Sequence, residues 1–142
     1  MTVLSLLRRG SERLESEPDE LRLRHHPSEL VRAREFADAA ATRFGLGRKD
    51  CEDFRLAASE AVANAIDHGL PCWDGAIHLW TIEGNGTLTL GVRNGGDFFF
   101  GGAATEPMAE RGRGLTMIAQ LVDAIALSRV GGDVQLELLK ER

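Results

Sequence analysis

The sequence predicts an α+β protein built as a two-layer sandwich, helices on one side and a sheet on the other. Three observations carry that prediction. Two stretches with helical spacing precede a pair of alternating segments, those segments meet at an Asn-Gly turn, and a third helical stretch leads into a second pair that meets at Gly-Gly.

The elements follow in order. Residues 1–18 mix a short apolar patch with Ser, Glu and Arg up to Pro18, and they read as a mobile tail or a loosely docked helix ahead of one domain over 19–142. Leu21-Arg-Leu-Arg24 alternates as a strand does. Ser28, after Pro27, is a plausible N-cap for a helix that runs through Leu30, Val31, Ala33, Phe36 and Ala37 toward Phe44 and stops at Gly45 and Gly47. Asp50 can cap a second helix reaching His68, with Gly69 as its stop. Along it Phe54, Ala57, Ala58, Ala61 and Ala65 make a narrow stripe of mostly small residues that can approach a sheet closely. Strands are expected over Ala76–Glu83 and Thr87–Asn94, joined at Gly84-Asn85-Gly86. Gly95 to Gly114 holds no convincing element. Leu115, Ile118, Ala119 and Val122 then mark a short helix, and the last strands run over Ala124–Val130 and Val134–Leu139.

Composition narrows the function classes. The 142 residues are 43 % hydrophobic and 27 % charged, as in ordinary globular domains. The net charge of −5, with no Lys/Arg stripe, argues against direct contact with nucleic acid and against docking on anionic membrane by charge. No apolar run approaches a spanning length, and the start lacks the order of a secretory signal. Cys51 and Cys72 stand outside any metal-ligand spacing and read as reduced thiols. A cytoplasmic setting is expected.

Three motifs carry chemistry. Glu60, Asn64 and His68 recur every fourth residue and line one helix face. A carboxylate and an amide one turn apart can hold hydrated Mg²⁺ and polarise a hydroxyl; the same spacing also describes an amphipathic helix with a polar edge. Asn94 ends the row Leu88, Leu90, Val92, and Gly95-Gly96 follows it. A polar tip there can meet a ligand edge, or the strand simply ends in a turn. In Glu110-Arg-Gly-Arg-Gly-Leu115 the glycines and the start of a helix can cradle phosphates, or serve as a loop and cap.

In this order the three segments resemble the N, G1 and G2 boxes of the GHKL (Bergerat) ATPase/kinase superfamily. The texts LAASEAVANAIDHG and RGRGLTMIAQLVD are especially similar to the bacterial anti-sigma-factor serine/threonine kinases, and the likeness extends from about residue 21 to 139. It implies a Bergerat-type sandwich, with a mixed, mainly antiparallel sheet covered by helices on one face and ATP held beside the helical layer. It implies Glu60 as catalytic general base and Asn64 as Mg²⁺ ligand. Asn94 and Gly96 would lie on the adenine side, and Gly112, Arg113 and Gly114 would give phosphate contacts. The implied partners are a sigma factor and a STAS-domain anti-anti-sigma protein, and homodimers occur among such relatives.

The chain departs from that family at one key position. The family has an aspartate accepting from the adenine amino group where this chain has Asn94, and the motif runs on as Gly95-Gly96-Asp97-Phe98 without the later family glycine. Losing the charge costs about 1–2 kcal/mol, roughly one decade of affinity, so restoring Asp at 94 is expected to tighten ATP about tenfold. Phe98-Phe99-Phe100 falls where the family has its ATP lid, either filling the sheet edge or forming an apolar flap. Two functions follow: a protein kinase that is also an anti-sigma factor, or a catalytically degenerate binding module. Glu60 and Asn64 favour the first, Asn94 the second.

Overall fold

The computed structural model describes residues 19–96 and 108–142, the stretch 108–114 by its backbone alone. Residues 1–18 and Phe98–Phe100 lie outside the described residues. The elements are β1 (Asp19–Arg24), α1 (Leu30–Phe44), α2 (Arg48–His68), β2 (Ala76–Gly84), β3 (Thr87–Gly95), α3 (Met108–Leu121), β4 (Ala124–Val130) and β5 (Asp133–Glu141). The strands form one five-stranded sheet in the order β1-β2-β3-β5-β4, antiparallel at every described pairing. After β3 the chain passes through α3 to the far edge at β4, and β5 returns to fill the gap beside β3.

Local chemistry explains the turns. Asn85 and Gly86 have φ of 56° and 78°, the two left-handed residues that a tight hairpin of the observed twist requires. Gly45, at φ 95°, ends α1 by donating its N–H to Ala41 and Thr42 carbonyls. Gly69 ends α2 differently, in an extended conformation open to any residue.

One face of the sheet is covered. Leu88, Leu90 and Val92 of β3, with Leu136 and Leu138 of β5 and Ile77 and Leu79 of β2, are buried against α1 and α2. The expected small-residue stripe is the contact surface: Phe54, Ala57, Ala58, Ala61 and Ala65 of α2 are each at most 1 % exposed. Alanines let the helix axis come close, and the packing of the one large ring among them anchors the layer.

Helix starts differ from expectation. Ser28 is not the cap of α1 but sits in a 3₁₀ turn, Pro27–Glu29, where its N–H donates to His26 Nδ1 at 3.0 Å. The turn swings Glu29 inward to 2 % exposure, where it accepts from the Arg24 N–H at 2.8 Å and pairs with Arg24 and Arg32. α2 begins at Arg48 after Gly47, leaving Asp50 in the first turn, where the helix dipole favours a carboxylate. α3 begins at Met108, well ahead of Leu115, so helix replaces part of the segment expected to hold none.

Candidate functional site

Glu60 and Asn64 occupy the flank of α2 that looks away from α1. Ser59 marks the other flank, because its Oγ accepts from Arg34 Nε of α1 at 3.1 Å. At about 100° per residue, Glu60 and Asn64 lie about 100° and 140° further round the helix. α2 also contacts α3, so that flank faces α3. Both side chains are half-buried, and neither has a hydrogen bond or ion pair among the described residues.

Lys140 fixes the direction of α3. Its Nζ donates to Leu121 O at 3.2 Å and stands 3.4 Å from Asp50 Oδ1, so the end of α3 meets the beginning of α2. α3 therefore runs back along α2. With a rise of about 1.5 Å per residue, Glu60 and Asn64 stand about 15 and 21 Å beyond Asp50, level with the first turn of α3. The positive end of the α3 dipole points to the same end of the sandwich.

Asn94 lies there too. It is 2 % exposed, at the end of the covered row of β3. Its Nδ2 donates to Gly95 O at 2.8 Å, and among the described residues no donor reaches its Oδ1. A two-way backbone bridge ties this end of β3 to the exit of α2: Leu70 N–H to Gly95 O at 3.1 Å, and Gly95 N–H to Leu70 O at 2.7 Å. A Cβ on Gly95 would sit 2.5 Å from Pro71 O. The chain itself, at Pro71, takes up the room beside Gly95. Gly96 turns away at φ 86° beside Leu70.

The structure thus gathers Glu60, Asn64, Asn94 and the beginning of α3 at one end of the covered face. Gly112, Arg113 and Gly114, the expected phosphate contacts, fall on helix where a loop was expected. They lie within α3, which spans Met108–Leu121. The expected tenfold benefit of Asp at 94 also meets an obstacle, since a carboxylate oxygen in place of Nδ2 would face Gly95 O with no proton between them.

Two features escaped sequence reasoning. His25 Nε2 reaches Ala65 O at 3.1 Å and Gly69 O at 3.2 Å, a contact across forty residues that periodicity cannot report. On the open face of the sheet, a groove of about 450 Å³ is lined by Trp73, Trp80, Ile82, Arg22, Arg93 and Asp133. It lies on the opposite side from Asn94, where Arg93 pairs with Asp133 at 2.9 Å and Arg22 with Asp74 at 3.1 Å. Burial pushes the Cys72 thiol there up to about 11, which leaves it a poor nucleophile. Among the described residues no cluster of His, Cys, Asp and Glu could hold a metal by itself, and no helix is long and apolar enough to cross a membrane.

Comparisons with known proteins agree with this architecture. Residues 23–139 match the family model of the histidine kinase-like ATPase domain. The fold is similar to a crystal structure of the RsbU and RsbW domains of Rv1364c from Mycobacterium tuberculosis, at 20 % identity and a TM-score of 0.68. That match covers 89 % of this chain and 32 % of the other, so the chain spans about a third of the protein it resembles. The comparison with curated proteins yields no match.

Proposed function

The chain belongs to the histidine kinase-like ATPase domain family, and from that premise we propose that it binds Mg·ATP at the Asn94 end of the covered face and acts as an anti-sigma factor with serine/threonine kinase activity. The observation that carries the nucleotide reading is the buried Asn94, whose Oδ1 meets no donor among the described residues. A buried acceptor without a donor is costly, and an adenine amino group supplies the missing N–H. Asn64 fits Mg²⁺ of the kind that keeps most of its ligands as water and phosphate, since it offers one amide oxygen and no cluster of carboxylates. The positive end of the α3 dipole points to this end, which suits phosphate.

Bound Mg·ATP would supply the phosphoryl group and the cation that offsets its charge. The chain's own residues would do the rest. Glu60, without a competing partner among the described residues, would take the proton from a serine or threonine hydroxyl of a partner protein. Asn64 would orient the cation, and Asn94 would set the register of the base. Positioning and charge compensation dominate reactions of this class. The partners of this reading are a sigma factor and a STAS-domain anti-anti-sigma protein, the second carrying the accepting hydroxyl; a homodimer and a cytoplasmic setting belong to it as well.

A second reading has one observation behind it. Asn94 spends its Nδ2 on Gly95 O, which an aspartate could not do, so the side chain here has a structural duty as well. That suits a binding module that regulates a partner without phosphoryl transfer. Calorimetry with Mg·ATP, followed by radiolabel transfer to a STAS-domain protein, separates the two. Binding with transfer supports the kinase; binding without transfer, or no binding, removes the kinase and leaves the module.

A further inference from the structure

The last turn of α2 is held from two sides. From β3, Gly95 bonds Leu70 in both directions. From β1, His25 reaches over: it follows Arg24, the end of the strand, and Arg24 pairs with Ala76 at the same end of the sheet as Gly95. Its Nε2 lies 3.1 Å from Ala65 O and 3.2 Å from Gly69 O. Both are carbonyl acceptors, so Nε2 must carry the ring proton, shared between them. The last carbonyls of a helix have no partner inside it, and Ala65 O already accepts the Gly69 N–H at 3.1 Å. Gly69 is extended, so it supplies no left-handed cap to close the helix. The half-buried imidazole supplies closure instead.

We propose that His25 is a positioning residue: it fixes the final turn of α2 and, through the peptide that joins them, the neighbouring Asn64. The consequence for nucleotide rests on the Mg·ATP reading above; the clamp does not. Of the groups placed at this end, Asn64 is one residue from a clamped carbonyl, whereas Asn94 is held by its own strand. Loss of His25 therefore acts on the cation side of the site and spares the base side.

The test compares the wild type, His25→Phe, which keeps a ring without a donor, and His25→Gln, whose Nε2 is reached through the same number of bonds. Amide exchange is followed at residues 65–70, with calorimetry for Mg·ATP and for ATP in EDTA. One hydrogen bond's worth of release is about fivefold. His25→Phe is expected to speed exchange at 65–70 about fivefold and weaken Mg·ATP about fivefold, with ATP in EDTA changed less than twofold, and His25→Gln to restore both. Unchanged exchange at 65–70 in His25→Phe overturns the proposal, as does equal weakening of ATP with and without Mg²⁺. If the wild type binds no nucleotide, the nucleotide reading fails, and exchange alone decides the clamp: local speeding restored by glutamine supports it, no local change ends it.

Discussion

The covered face closes on a buried polar residue at each end, and the two ends differ. At one end Lys140, 8 % exposed, donates to Leu121 O and faces Asp50, so its charge is fully engaged in joining three elements. At the other, Asn94, 2 % exposed, donates through Nδ2, and among the described residues its Oδ1 and the side chains of Glu60 and Asn64 on α2 have no hydrogen-bond partner. Glu29 shares that second end but is completely engaged, by a backbone N–H and two arginines. Buried polar groups in folded proteins are nearly always satisfied. Under the proposed function, the difference between the ends separates polar groups that hold the fold from polar groups that meet the nucleotide.

The largest effect that could break this division is at Glu60. Glu60→Gln is expected to lower phosphoryl transfer about 10²- to 10⁴-fold while leaving the melting temperature and Mg·ATP affinity nearly unchanged, because a general base acts mainly in the transition state. Transfer at the wild-type rate would remove Glu60 from the chemistry. Asn64→Ala should instead weaken Mg·ATP itself, seen by calorimetry.

At the opposite end the expectation reverses. Lys140→Met keeps the aliphatic stem and removes the donor from Leu121 O. It should cost about 1–2 kcal/mol of stability, roughly 4–8 °C in melting temperature, with Mg·ATP affinity unchanged. Loss of nucleotide binding in this variant would mean the two ends are not separable.

Asn94→Asp sharpens the boundary. The change offers a charged acceptor to adenine but sets a carboxylate against Gly95 O, where a 2.8 Å hydrogen bond now lies. The structure thus revises the tenfold gain expected from sequence: affinity should stay within about threefold of the wild type, and the melting temperature should fall. A tenfold gain at unchanged stability would show that the Nδ2 contact is dispensable.

The smallest effect concerns Glu29. The Arg24 N–H, ahead of its other partners, holds the Glu29 carboxyl below its ordinary value of 4.5 against the opposing pull of burial. Its stabilising contribution is therefore complete above that value and is lost as pH falls through the lower, folded one. Urea denaturation of Glu29→Gln across the acid range should show a flatter decline below pH 4.5 than the wild type. Parallel declines would assign acid lability elsewhere.

Much of this was legible in the sequence because it depends on local period. The alternation of Leu88, Leu90 and Val92, the alanine stripe of α2, the Asn85-Gly86 hairpin and the placing of Glu60 and Asn64 on one side of α2 are each set by neighbours along the chain. The order of the three motifs was enough to suggest the family. Tertiary structure alone decided the rest, because those features join residues far apart in sequence. The reach of His25 to Ala65 and Gly69, the use of Gly95 to admit Pro71, and the grip of Lys140 on both α2 and α3 leave no periodic trace. Nor could spacing tell that Gly112 and Gly114 lie inside a helix, since glycine weakens a helix without forbidding it. The residues by themselves determined which side chains face the core; how the ends of the elements meet determined which polar groups come together at the Asn94 end.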